Sequence, residues 1–486
     1  MRLFCARTAI LPAAVAAMLP LFAHAAPSDG DALLQRAAAA SGQPWRYHIR
    51  STIAAEDAQT APTQIDEQGS RLITERCTGI VCDGTMIDTS LRKRWIFSYN
   101  GTPIEQTAML DPQLVTVRAI VSYAFTSSEF RRDGGRVEAV PESRLAGRPV
   151  APFDVTAPGG AKLTALLDPQ TGLLSAIADG PHVLYEYREQ KRFGPLMLPT
   201  EIRRTGGVVQ RYEERSAVDD PLVVPTGPAV TFSAAAPATK LAGGAIPIFP
   251  CRIDNAQTRC LLDTGASGMA MSLDLADRLH LSTIGRIGLQ GLGAVASGIV
   301  RAGELDLGTM RVGPALYAIL PDVGGVGAEV IIGADVIAQA GVRLDFVQRT
   351  IRFERPGSQA IGNAVPLIFA GITPKVPIEL ATTRCELAVD TGDAASIDLS
   401  AAFAKAHPGL FVAREKRRIL GVGGRGTQTI GTVDVAFADL TLRDVPVGAT
   451  DVPGGHPTDR IGAGFLSRFI LYLDYASGRM SVQTVR

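Results

Sequence analysis

The sequence predicts a mainly β protein made of more than one domain. Three observations carry this. The chain has 486 residues, too many for one compact core. Short runs of alternating apolar and polar residues recur along most of it, broken by Gly- and Pro-containing turns. Between them lies one stretch, residues 221–242, that is rich in Pro, Ala and Thr and reads as a linker.

The N-terminus reads as a targeting segment. Arg2 and Arg7 form a positive start, an apolar run follows that Pro12 and Pro20 interrupt, and Ala23-His24-Ala25 fits the small-residue cleavage rule. Residues 1–25 are therefore expected to be a signal peptide. No later stretch is long and apolar enough to span a bilayer as a helix. The expected product is exported, periplasmic or secreted, and the style of the signal is bacterial. Lys+Arg and Asp+Glu balance at 48 each, so nothing in the charge points to nucleic acid or an anionic membrane surface.

Residues 26–220 are expected to form an antiparallel-sheet domain with one or two helices. "SDGDALLQRAAAASG" has acidic residues at its start and Gly42 at its end, as a helix should. "DPQLVTVRAIVSYAF" (111–125) is the second helix, with Pro112 suited to its first turn. The rest alternates, with "DPQTG" (168–172) marking a turn. Export permits disulfides. Cys77 with Cys82, and Cys251 with Cys260, sit at hairpin separations and are predicted to pair, leaving Cys385 free. No His lies close to either pair, and the remaining His residues have no ligand or nucleophile spacing. No metal and no cofactor is expected.

The chemistry-bearing signal is a self-similarity in the second half. Asp263-Thr264-Gly265 matches Asp390-Thr391-Gly392. About thirty residues on, "QGLGAVASG" (290–298) matches "LGVGGRGTQ" (420–428). About seventy residues on from each Asp, "VIIGADVI" (330–337) matches "RIGAGFL" (460–466), and "VRLDF" (342–346) then matches "LYLDY" (471–475). One Asp-Thr-Gly is as readily a plain turn as a site. Two, each after an apolar run and each followed by the same features in the same order, point to carboxylates meant to meet.

These residues resemble the aspartic peptidases, retropepsin-like or pepsin-like, with both lobes on one chain. The resemblance implies a bilobal acid-protease β-barrel fold, with lobe 1 at 243–360 and lobe 2 at 361–486. It implies that Asp263 and Asp390 are catalytic and share one proton, because like charges held close cannot both ionise. Thr264, Gly265, Ala266 and Ser267, and Thr391, Gly392 and Asp393, would support the two loops. Each Thr would bond across to the opposite loop. Gly291, Leu292 and Gly293, and Gly421, Val422 and Gly423, would form flaps that cover a peptide or protein substrate. "GVGGRG" also fits a dinucleotide fingerprint, but a strand-like run follows it rather than a helix.

The sequence departs from that family at Asp393, where Ala, Ser or Thr is usual. A third carboxylate beside the pair would raise the pH of activity, or would spoil turnover and leave a peptidase-shaped binding protein. In the latter case the chain would act as a lipid or lipopeptide carrier. The N-terminal domain faintly resembles the carriers of outer-membrane lipoproteins, which implies a lipid or lipopeptide partner there; a spacer that covers the cleft is the other reading.

Overall fold

A computed structural model describes residues 29–484, apart from 54–61, 142, 205–206, 208, 243, 321–325, 359–360, 413 and 453–458. The expected signal peptide therefore lies outside the described residues. The fold is mainly β, and no helix among the described residues is long and apolar enough to cross a membrane.

In the N-terminal part, fourteen strands among the described residues join in one antiparallel sheet. Helix Asp29–Ser41 begins with Asp29 and Asp31 in its first turn, which suits the positive end of the helix dipole, and stops at Gly42, whose φ is +74°. Helix Pro112–Val121 is capped by Asp111, whose carboxylate accepts from the Gln113 N–H at 2.9 Å. This helix is shorter than the 111–125 expected from sequence. Tyr123 turns left-handed (φ 59°), and its hydroxyl accepts from the Leu174 N–H at 2.6 Å. A tertiary contact thus ends a helix that its apolar pattern would have continued. Phe125, Phe153, Val155, Leu163 and Ile177 fill the space between these helices and the sheet.

Residues 221–242 are less of a linker than their composition suggests. Val230–Phe232 pairs with Met310–Val312, and Thr239–Lys240 pairs with Thr350–Glu354. Arg352 Nη1 also donates to the Ala236 carbonyl at 2.9 Å.

Beyond them the same order of elements runs twice. Strand Ala256–Leu262 pairs in parallel with Val330–Ile332, and strand Thr383–Asp390 pairs in parallel with Arg460–Gly462. Ala270–Ser272 pairs in parallel with Ala315–Leu320, as Ile397–Ser400 does with Leu440–Asp451. Short helices Ala334–Ile337 and Ala463–Leu466 follow Gly333 and Gly462. The two runs are joined by a six-stranded sheet in which Gly341–Asp345 pairs with Phe469–Asp474. One apolar core, from Phe249 through Leu262, Ile332, Val389 and Ile461 to Phe469, spans both.

The N-terminal part grips this assembly through residues 99–107. The Tyr99 hydroxyl donates to the Met269 carbonyl. Asn100 exchanges hydrogen bonds with the Leu316 backbone at 3.0 and 2.8 Å, and also donates to the Asp335 carboxyl. Thr107 exchanges bonds with the Phe369 backbone at 3.0 and 2.8 Å. Cys77–Cys82 and Cys251–Cys260 form disulfides, and Cys385 is a free thiol. The first disulfide closes a hairpin whose Val81 packs with Ile299 and Leu316 and lies against Gly285.

Candidate active site

Each Asp-Thr-Gly loop follows a strand whose last residues are apolar and buried: Cys260, Leu261 and Leu262 before Asp263, and Leu387, Ala388 and Val389 before Asp390. Burying both faces of these strands leaves the first polar residue at the strand end, where the chain can turn. The turns meet back to back. The Thr264 N–H donates to Thr391 Oγ1 at 3.1 Å, and the Thr391 N–H donates to Thr264 Oγ1 at 3.0 Å. Each hydroxyl then donates onward, Thr264 to the Val389 carbonyl at 2.6 Å and Thr391 to the Leu262 carbonyl at 2.7 Å. Both threonines are fully buried, and each hydroxyl both accepts and donates a hydrogen bond. This crossed set fixes one loop against the other.

The glycines set how close the carboxyls come. A Cβ on Gly265 would stand 2.6 Å from the Asp390 carboxyl carbon, and one on Gly392 2.5 Å from that of Asp263. Only glycine fits at either place. The Gly265 N–H donates to Asp263 Oδ1 at 2.9 Å, and the Gly392 and Asp393 N–H groups donate to Asp390 Oδ1 at 3.1 Å each. Each loop thus brings its glycine against the carboxyl of the other. Ala266 continues the first loop, its carbonyl accepting from the Ala334 N–H at 2.9 Å, while Ser267 is exposed.

Burial first, and the charge of Asp390 second, push the Asp263 carboxyl far above its ordinary value, to about 8. Burial also raises Asp390; Asp393 adds to the rise, but the guanidinium of Arg460 opposes it. Arg460 is the residue that the sequence reading left out of the site. Its Nη1 lies 3.3 Å from Asp390 Oδ2, its Nε 2.8 Å from Asp393 Oδ2, and its Nη2 3.2 Å from Asp398 Oδ2. Asp393 is therefore not a lone third charge beside the pair but part of an ionic cluster. Asp398 is held further by the hydroxyl of Thr450 and by Gln428 Nε2 at 2.9 Å, and Gln428 in turn accepts from Arg417 Nε at 2.8 Å. A polar chain thus runs from the strand Glu415–Gly421 to Asp390. Two signals in the sequence pointed here: an Arg where the matching position, Ile331, is apolar, and an Asp inside the otherwise buried strand Ile397–Ser400.

The two Gly-rich turns meet at their tips. The Gly293 N–H donates to the Val422 carbonyl at 3.2 Å, and Leu292, itself buried, packs on Gly421. A Cβ on Gly293 would stand 2.2 Å from the Gly423 carbonyl oxygen, so the tips touch backbone to backbone. A Cβ on Gly291 would stand 2.6 Å from the Val422 carbonyl oxygen.

Two Asp-Thr-Gly turns, each at the end of a paired strand, thus share their threonine hydrogen bonds. Residues 249–336 match the family model for aspartyl proteases, and this part of the chain is an aspartyl-protease-like domain. The match includes Asp263 but not Asp390. No curated protein matches the chain.

Proposed function

We propose that the chain is an exported aspartic endopeptidase in which Asp263 and Asp390 activate one water. On this reading residues 243–360 and 361–486 are its two lobes, 26–220 is a separate N-terminal domain, and the turns 291–293 and 421–423 are flaps that cover a peptide. The observation that carries the proposal is the reciprocal bonding of Thr264 and Thr391, which holds the two Asp-Thr-Gly loops, and with them the two carboxyls, against each other.

The reaction follows from the charges. Arg460 favours the anion on Asp390, and burial keeps the proton on Asp263. Asp390 takes a proton from water as its oxygen attacks the scissile carbonyl carbon, and Asp263 gives its proton to the carbonyl oxygen. The tetrahedral diol then collapses. The C–N bond breaks, the nitrogen leaves with a proton from the dyad, and an acid and an amine remain. The flaps would exclude bulk water meanwhile. Disulfides suit an oxidising compartment, which supports export.

The test is turnover of a peptide library by the mature protein from acid to neutral pH, beside Asp263→Asn. Cleavage by wild type that is lost in the variant is the expected result. Peptide binding without cleavage by folded wild type would overturn the enzymatic reading in favour of a binding protein.

A further inference from the structure

The hairpin made by strands Glu415–Gly421 and Gly424–Phe437 is strongly basic near its tip. Arg414, Lys416, Arg417, Arg418 and Arg425 stand against one acid, Glu415, in a chain whose charges balance overall. None of the five basic residues forms an ion pair among the described residues. The matching stretch of the first run, 284–296, holds one charged residue, Arg286.

Arg417 differs from its neighbours Lys416 and Arg418 in where it faces. It lies directly across from Gln428 in the antiparallel pair, so the two side chains share one face of the hairpin. Gln428 is buried, and its Nε2 donates to Asp398 Oδ1 at 2.9 Å and to Thr450 Oγ1 at 3.1 Å. Asp398 pairs with Arg460, and Arg460 with Asp390. The face that carries Arg417 is thus the one turned toward the dyad, and by alternation Lys416 and Arg418 lie on the other. Because its Nε2 is committed to a carboxylate, Gln428 offers Oε1 to Arg417, whose Nε donates to it at 2.8 Å. That bond holds the guanidinium and leaves its two Nη groups on an exposed side chain, without a partner among the described residues. In the first run the residue across from the buried Ser297 is the apolar Ile287.

A guanidinium held by its Nε, with both Nη groups free, offers the paired donors that a carboxylate accepts. We infer that Arg417 is a specificity-determining residue that takes a glutamate or aspartate side chain of the substrate, so that acidic peptides are the preferred substrates. The inference rests on the peptidase reading of the cleft. The other basic residues of the hairpin would draw such peptides in, but a diffuse field selects no one position along them. Arg417 does, because Gln428 holds it at one place beside the bound peptide.

The test assays the full mature chain on short fluorogenic peptides of Ala, Leu and Phe, with Glu or Gln set at one position at a time, at about pH 6, where glutamate is ionised. At one position Glu should raise kcat/KM about tenfold over Gln. In Arg417→Gln that ratio should fall to about one. In Arg417→Lys, which keeps the charge and loses the fork, it should fall part of the way. A ratio near one at every position in wild type, or a ratio that Arg417→Gln leaves unchanged, would overturn the inference. So would an equal gain from Glu at every position, the mark of the hairpin's field alone. If no peptide is cut, it is the peptidase reading that falls; the Glu-to-Gln ratio is then read from binding of dye-labelled peptides by fluorescence anisotropy, and the same outcomes decide. No binding of either peptide would overturn the inference as well.

Discussion

The two halves of the candidate site differ more in charge than in shape. Around Asp263 the neighbours are Ala266 and Ile331, and the strand Ala294–Ala302 is anchored by Ser297, whose hydroxyl donates to the Ile319 carbonyl at 2.6 Å. Around Asp390 the matching places hold Asp393 and Arg460, and Asp398 and Gln428 extend the polar chain. One backbone plan thus gives its two carboxyls unlike surroundings. A partly buried guanidinium on one side favours charge on the carboxyl beside it, Asp390. Where the two sides are symmetrical the proton belongs to the pair as a unit; here Arg460 biases it toward Asp263.

The comparison is broken most severely by removing a member of the pair. Asp390→Asn should cut kcat/KM by at least about 10³-fold, read by peptide cleavage, and Asp263→Asn should do the same. Next comes Arg460→Gln. It strips three carboxylates of their counter-ion, so it should destabilise the fold by about 3–5 kcal/mol in urea unfolding at neutral pH. Any surviving activity should show its acid limb moved to higher pH, since Asp390 loses the cation that favours its charge. Thr391→Val touches the shared frame rather than either side. It leaves the Thr264 N–H without an acceptor and should cost about 1–3 kcal/mol, measured the same way.

Two smaller effects sharpen the asymmetry. In the folded chain the Asp263 carboxyl is held above its ordinary value, so the stability it allows is complete below about pH 4 and is lost as pH rises toward about 8. Asp263→Asn removes that loss. Its melting temperature should exceed that of wild type at pH 8, with the gap closing by pH 4. Asp393→Ala removes a negative neighbour of Asp390 and leaves Arg460 to Asp390 and Asp398, so the pH optimum should fall by about one unit or less. An unchanged profile would mean that Asp393 does not influence the pair.

Much of this was legible in the sequence because it rests on local rules. Apolar runs ending in Asp-Thr-Gly marked both loops, Gly-rich turns marked the tips, and hairpin spacing gave both disulfides. What was hidden depends on distant partners. Arg460 stands seventy residues from Asp390, and its role follows only from the parallel pairing of Thr383–Asp390 with Arg460–Gly462. The end of the second helix at Val121 was hidden for a like reason, since a hydrogen bond from Leu174 to Tyr123 sets it. The strands within 221–242 were masked by Pro and Ala, which lower strand propensity without forbidding a short edge pairing.

The segment 99–107 bears on how the chain can be cut. Asn100 donates to the buried Asp335 carboxyl, and Thr102 Oγ1 donates to the Asp335 carbonyl at 2.6 Å. Farther along, Thr107 holds the backbone of Phe369, whose ring meets Tyr475 edge-on at 5.0 Å. Tyr475 is buried near both carboxyls, whose charges help to raise its phenol well above the ordinary value, after burial itself. Maturation by discarding the N-terminal part, in the manner of a zymogen, would therefore bare a carboxyl sealed inside the fold and loosen the packing behind the dyad.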